Sequence, residues 1–211
     1  MADIHHSLTF ARMNPITSGH EAVVNQTMAS AKNNKGGHSI ILSGSQDTKK
    51  NPLTPEQKLK YAKHSFPTAN IKMADKSKPT ILHHASDLHN QGVTHLTLHV
   101  GSDRVESMNN LLTRYNGQPG AHGNYKFKKI TVVPVGSGRK DTGKGVSSAS
   151  GTSMRAHAIS NNRAEFHKMA PSSMSPAHKD EMMRDVRNNM GVKEGIFKRF
   201  GEWLLEVTAT D

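Results

Sequence analysis

The feature that most constrains this chain is a repeated alternation: a short apolar run, a turn, then a longer segment with helical periodicity. The apolar runs cover residues 4–12, 39–42, 69–73, 95–100 and 130–135, each about the length of a buried strand. Between them lie helical segments with explicit start and stop signals. Thr54-Pro55-Glu56-Gln57 is a capping box with proline at the first helical position, and it predicts a helix to about Ser65. An earlier helix is expected from Gly19 to about Lys32, closed by Lys35-Gly36-Gly37. Pro79-Thr80 opens another through about Asn90, and residues 105–115 give one more, stopped by Asn116-Gly117. Strand and helix alternating at this spacing imply a parallel sheet covered on both faces, with right-handed crossovers that bring every strand's carboxyl end to one edge. The predicted fold class is α/β: a doubly wound, Rossmann-like parallel sheet of about five strands, whose carboxyl edge takes ligands.

Beyond Val135 the pattern changes. Residues 136–153 form a glycine- and serine-rich loop, followed by short helices expected at about 153–160, 163–169 and from Ser175-Pro176 to about Met190. The segment 194–207 places Ile196, Phe197, Phe200, Trp203, Leu204 and Val207 on one helical face. Such a face docks on the domain itself or forms a homo-oligomer or protein-partner contact. The division expected is a core domain over residues 1–160 and a helical C-terminal extension over 161–211.

Composition narrows the function class. The 211 residues carry a formal net charge of +11 and a sequence pI of about 9.9, with bases and acids spread along the whole chain. A mean hydropathy of −0.65 implies a lean core. No stretch approaches the roughly 20 apolar residues of a membrane span, and the opening MADIHHSLTF lacks the basic start and apolar stretch of a signal peptide. With no cysteine there is neither a disulfide nor a thiolate zinc site. The expectation is a cytoplasmic protein that meets anions and has no membrane partner.

Four segments carry chemistry. The first, Ala11-Arg12-Met13-Asn14-Pro15-Ile16-Thr17-Ser18-Gly19-His20, leads from the first strand through a turn into a helix start. There backbone N–H groups, the Thr17 hydroxyl and an imidazole meet, and Gly19 lets a phosphate approach the backbone closely. The second is the polar loop Ser43-Gly44-Ser45-Gln46 followed by Asn51-Pro52-Leu53-Thr54, which delivers the chain into the capped helix. In the third, Gly101-Ser102-Asp103-Arg104, an aspartate stands at the carboxyl end of a strand. It can accept hydrogen bonds from ribose hydroxyls or a base, or cap the helix that follows. The fourth is Ser150-Gly151-Thr152-Ser153-Met154-Arg155, a second cradle of hydroxyls and helix N-terminal amides, with a guanidinium one turn in.

Taken together, these segments resemble the nucleotidylyltransferase superfamily (the cytidylyltransferase-like group), whose signature after the first strand is (His/Thr)-x-Gly-His. Thr17-Ser18-Gly19-His20 fits its threonine variant, as in phosphopantetheine adenylyltransferases. Arg12 and Pro15 look more like the archaeal-type nicotinamide-mononucleotide adenylyltransferases. Those enzymes also have a similar Gly-Ser-x-Gln segment, an Asn-Pro-Phe-Thr helix start, a Gly-x-Asp-(Asn/Arg) element and an Ile-Ser-(Ser/Gly)-Thr-x-x-Arg signature. This chain departs in two places: Glu56-Gln57-Lys58 stands where they have a Glu-Arg pair, and alanine replaces the leading isoleucine before Ser150.

The resemblance covers roughly residues 5–160. It implies nucleotidyl transfer from a nucleoside triphosphate, ATP first, to a phosphorylated small acceptor, with release of pyrophosphate. Nicotinamide mononucleotide is the first acceptor, followed by phosphopantetheine or a phosphorylated alcohol with CTP. It assigns catalysis to His20, Thr17 and Arg155, and nucleotide or phosphate binding to Arg12, Asn14, Gly19, Asp103, Ser150, Gly151 and Thr152. Ser45, Gln46 and Asn51 fall on the acceptor side. Mg²⁺ would arrive on the triphosphate, with no protein metal cage.

Two further signals are discounted. Gly138 to Lys144 matches a Walker A loop up to its lysine, but Gly145 stands where the Mg²⁺-binding hydroxyl belongs. Arg139, Lys140 and Lys144 read better as a basic flap over a triphosphate. The 14 histidines, among them His83, His84, His89, His95 and His99, lack metal-ligand spacing and read as packing or solvated side chains. The competing class is a catalytically silent transferase fold acting as a basic structural or nucleic-acid-associated component. Aromatic residues are only 5% of the chain, too few for an evident stacking platform, which disfavours nucleic acid.

Overall fold

The computed structural model describes residues 2–136 and 149–192. Five parallel strands, β1 (His5–Ala11), β2 (Gly37–Leu42), β3 (Ile71–Met73), β4 (His95–Gly101) and β5 (Lys129–Val135), form one sheet in the order β3-β2-β1-β4-β5. All four pairings are parallel. The expected α/β doubly wound, Rossmann-like sheet is what the chain forms. From β1 the chain winds outward to β2 and β3, then returns across the sheet to β4 and β5. The order therefore reverses between β1 and β4, and the crevice at that switch point opens on the carboxyl edge.

The helices follow their sequence signals. Thr17 caps α1 (Ser18–Asn33), and Thr54 with Pro55 starts α2 (Pro55–Ser65) through a reciprocal capping box. α3 is Ile81–Asn90, and α4 (Val105–Arg114) follows a single 3₁₀ turn at Ser102–Arg104. α5 (Gly151–Ile159) begins earlier than the expected 153 because Ser150 is its N-cap, accepting from the Ser153 amide. α6 (Arg163–Met169) and α7 (Pro176–Asn189) complete the described chain. β3 is shorter than expected: the Ala69 amide turns back to the Phe66 carbonyl at 3.1 Å and so is unavailable to the ladder.

The two faces of the sheet are unlike. On one, Leu8, Ile41, Leu96, Leu98 and Val100 pack with Ile81, Ala85 and Leu88 of α3 and Leu112 of α4. On the other, Ile40 and Leu42 pack with Val24 of α1, Tyr61 of α2 and Met154, Phe166, Met182 and Val186 of α5–α7. The described part of the extension, through residue 192, thus shares the core of the sheet rather than standing apart. Full burial of Phe166 alone contributes on the order of 2–3 kcal/mol. Polar ties add to it: Tyr61 Oη donates to Asp185 at 2.6 Å, and Arg187 donates to the Ala158 carbonyl at 2.6 Å. Glu21 of α1 accepts from the Ser172 amide at 2.8 Å and its hydroxyl at 2.9 Å. The expected amphipathic segment 194–207 lies outside the described residues.

Beneath α1 the floor is polar. Ser7 donates to Ser30 at 3.0 Å, Thr9 meets Thr27 at 2.7 Å, and the Thr9 hydroxyl also reaches the His99 carbonyl at 3.1 Å.

Candidate functional site

At the switch point a cleft of about 480 Å³ opens between the ends of β1, β4 and β5 and the first turns of α1 and α5. Its lining includes Arg12, His20, Gly19, Asp103, Ser150 and Gly151. The structure thus brings three of the four sequence segments onto one cavity.

His20 is held by its own helix start. The Thr17 amide donates to His20 Nδ1 at 3.0 Å, and the Thr17 hydroxyl lies 2.9 Å from the same nitrogen. In return, the His20 amide donates to Thr17 Oγ1 at 3.3 Å. This is a capping box in which an imidazole replaces the usual Glu or Gln at the third helical position. A nitrogen that accepts from a backbone amide must carry a lone pair, so the neutral ring holds its proton on Nε2. Thr17 is buried and its hydroxyl is engaged with His20.

Arg155 of α5 donates to the Asn14 carbonyl at 2.9 Å and to Thr152 Oγ1 at 3.1 Å. These bonds tie the β1–α1 turn to the start of α5. A Cβ at Gly151 would stand 3.1 Å from the Arg155 guanidinium and 3.4 Å from the Asn14 carbonyl, so the missing side chain permits the approach. The Arg155 pKa is lowered, chiefly by burial and next by the like charge of Arg12, with Asp47 partly offsetting both. Arg12 lines the cleft, whereas Arg155 stands behind the helix start rather than in the lining.

Asn14, expected at the nucleotide, has its side chain engaged by the backbone of Leu53. Its amide nitrogen donates to the Leu53 carbonyl at 2.9 Å, and its oxygen accepts the Leu53 amide at 2.8 Å. The side chain is buried and pins the turn to the segment entering α2. The reading of Asp103 as a helix cap also gives way, because Arg104 is the N-cap of α4 and no side chain caps it. Asp103 instead folds over Gly101, where a Cβ would meet its Oδ1 at 2.7 Å, and its side of the turn lines the cleft.

Ser45, Gln46 and Asn51 are not among the residues lining the cleft. They belong to the loop after β2, in which Asn51 donates to Asp47 at 2.5 Å. Hydrogen bonds to Asp47, the Lys50 amide first, pull its carboxyl down to about 2. Arg139, Lys140 and Lys144 lie outside the described residues. Among the described residues no group of three His, Asp or Glu gathers as a metal site, and no helix is long and apolar enough to cross a membrane.

Two residues stand out: Lys58, to which the sequence reading gave no role, and His99, which it discounted with the other histidines. Lys58 of α2 is 1% exposed, and its ammonium donates to the Ser43 and Ser45 carbonyls, bracing the loop after β2. His99 of β4 is also 1% exposed and lines the cleft. Phase was the available signal: Leu96, Leu98 and Val100 share one face of β4, so His99 must point to the other, beneath α1.

No family model matches the sequence, and no curated protein matches it. Among solved structures, the fold is similar to Thermotoga maritima TmcAL bound with alpha-thio ATP. The TM-score is 0.52 at 10% sequence identity, covering 89% of this chain and 56% of that one. The chain therefore spans little more than half the length of that protein, and what the two share is an α/β fold.

Proposed function

We propose that this chain binds a nucleoside triphosphate, ATP first, in the cleft and transfers its nucleotidyl group to a phosphorylated small-molecule acceptor. Nicotinamide mononucleotide is the first acceptor candidate. The observation that carries the reading is the convergence of two capped helix starts, α1 and α5, with Arg12 and His20 on one cavity at the switch point. Amides in a first helical turn lack intrahelical partners, and a polyphosphate is the ligand that accepts from several of them at once. The alpha-thio ATP bound by TmcAL, a protein of similar fold, supports a nucleotide as that ligand. The resemblance of the four segments to nucleotidylyltransferases supports the reaction.

In that reaction an acceptor phosphate oxygen attacks the α-phosphorus. The new Pα–O bond forms as the bridge to the β-phosphate breaks, and its electron pair leaves with pyrophosphate. The attacking oxygen is already ionised at neutral pH, so no side chain must remove a proton. Catalysis is then alignment plus stabilisation of charge on the leaving group. His20 supplies an oriented Nε2–H donor, Arg12 a cation in the cleft lining, and Arg155 sets the spacing of the two helix starts. The triphosphate is taken as its magnesium complex, the ion held by phosphate oxygens and water.

The test is pyrophosphate release with Mg²⁺, scanning ATP and CTP against nicotinamide mononucleotide, phosphopantetheine and simple phosphorylated alcohols. Removing one preorganised donor lowers turnover by about 100-fold or more, so His20→Ala should lose activity to that extent while remaining folded. Equal activity in wild type and His20→Ala would refute the assignment. Triphosphate binding without turnover across this panel would point to an acceptor outside it, and neither binding nor turnover would favour the silent, structural class.

A further inference from the structure

The histidine at the floor of the cleft is unlike the other polar groups beneath α1. Ser7, Thr9, Thr27 and Ser30 are paired across the sheet–helix seam. Among the described residues, neither ring nitrogen of His99, next along this floor toward the carboxyl edge, has a hydrogen-bond partner. Its bond in the seam is through its backbone carbonyl, which accepts from Thr9. Burial lowers the ring's pKa, so at neutral pH the imidazole is uncharged, with one donor and one acceptor nitrogen. Such a ring matches a neutral hydrogen-bonding group and is poorly suited to a phosphate, which favours cations.

The cleft lining is mixed: Arg12, Asp103 and Arg104 carry charge, and Ala22, Val23, Val135 and Ala149 add small apolar side chains. A partly apolar group with polar edges suits such a lining better than a bare polyphosphate does. We propose that His99 is the specificity-determining residue of the cleft, hydrogen-bonding the neutral nucleoside part of the triphosphate through its unpaired ring nitrogens. Phosphates fix the ligand at the helix starts, and His99 distinguishes a nucleotide from a bare polyphosphate. This rests on the nucleotide-binding reading of the cleft and adds a residue that the resemblance does not assign.

The experiment is calorimetric titration of the full chain with Mg²⁺-ATP and, separately, with Mg²⁺ and inorganic triphosphate, for wild type, His99→Leu and His99→Gln. Wild type should bind ATP more tightly than inorganic triphosphate. His99→Leu should weaken ATP about tenfold, the equivalent of roughly 1.4 kcal/mol, and leave inorganic triphosphate within about twofold. His99→Gln, which restores a donor and an acceptor, should recover most of the ATP affinity. Equal losses for both ligands would assign His99 a merely structural role, and no loss for either would mean that a buried water satisfies the ring. Either result overturns the proposal while leaving the nucleotide reading standing. If wild type binds ATP no better than inorganic triphosphate, the nucleoside is not read and His99 has no such role. If wild type binds neither, the nucleotide reading falls and this proposal with it.

Discussion

Lys58 makes the strain of a buried charge measurable. Its side chain is 1% exposed, and its ammonium meets two backbone carbonyls, of Ser43 and Ser45. Burial lowers its pKa from the ordinary 10.5 to about 8, against a smaller opposing pull from Glu56. The unfolded chain therefore binds this proton more tightly than the folded chain does, and protonation favours unfolding. Stability is lowest where both states are protonated, below the folded value. It rises as pH passes about 8 and levels off above the unfolded value near 10.5. With those two values, unfolding free energy should increase by at most about 2 kcal/mol between roughly pH 7 and pH 9.5, less whatever solvent screening reaches the ammonium.

Urea unfolding at half-unit pH steps measures this directly. Keeping below about pH 9.5 avoids the buried phenols of Tyr61 and Tyr125, whose raised pKa values act in the opposite direction at higher pH. Lys58→Met keeps the apolar stem and removes the titrating group. Its absolute stability combines relief of the buried charge with loss of two carbonyl partners, so the slope with pH is the decisive reading. Wild type should gain stability over the window while Lys58→Met stays flat. Parallel curves would show that Lys58 keeps its ordinary pKa in the fold, and the argument from burial would fail.

Two other substitutions probe the frame of the cleft. Asn14→Ala leaves the Leu53 amide and carbonyl without their partner in a buried place, and should cost about 2–4 kcal/mol in urea unfolding; a change below about 0.5 kcal/mol would mean that water replaces the amide. Thr17→Val removes the α1 cap and one of the two groups facing His20 Nδ1. It should lower stability by about 1 kcal/mol and reduce pyrophosphate release, while Thr17→Ser restores both; full activity in Thr17→Val would show that the backbone amide alone orients His20.

The sequence announced the architecture because its signals are local. The Thr54–Gln57 capping box, the Pro-Thr and Ser-Pro helix starts and the short apolar runs each need only a few neighbouring residues, and the strands and helices fell close to where those signals put them. The carboxyl edge was legible too, since alternation with right-handed crossovers leaves it one location. What stayed hidden depends on partners remote in sequence. The resemblance put Asn14 among the nucleotide-binding residues, but its side chain is engaged by Leu53, 39 residues on. Arg155 looked free to fork onto a phosphate, but the Asn14 carbonyl, 141 residues away, holds it. Spacing placed these residues on the correct edge and was silent on which side chains would be engaged by the frame.

The polar floor beneath α1 links that frame to the chemistry. The opposite face of β1 and β4 is filled by Leu8, Leu96, Leu98 and Val100, so an aliphatic floor under α1 was available to this sequence as well. Serines and threonines there forgo hydrophobic stabilisation and remain acceptable because each paired hydroxyl recovers its hydrogen bond. An unpaired buried polar group costs about 1–3 kcal/mol. Among the described residues His84, His89, His122 and Arg187 also bury an unpaired nitrogen away from the cleft, but beneath α1 the unpaired groups are the ring nitrogens of His99 and the Ser18 hydroxyl, and both these residues line the cavity. Had these groups only to support the fold, apolar replacements of similar size would serve better. Their position at the switch point is accounted for if the fold's stability is lowered there locally and a bound nucleotide supplies the missing bonds. Mg²⁺-ATP should then raise the unfolding temperature by more than inorganic triphosphate does at equal free ligand concentration, since the bonds to the floor as well as the mouth make it the tighter ligand of the folded chain.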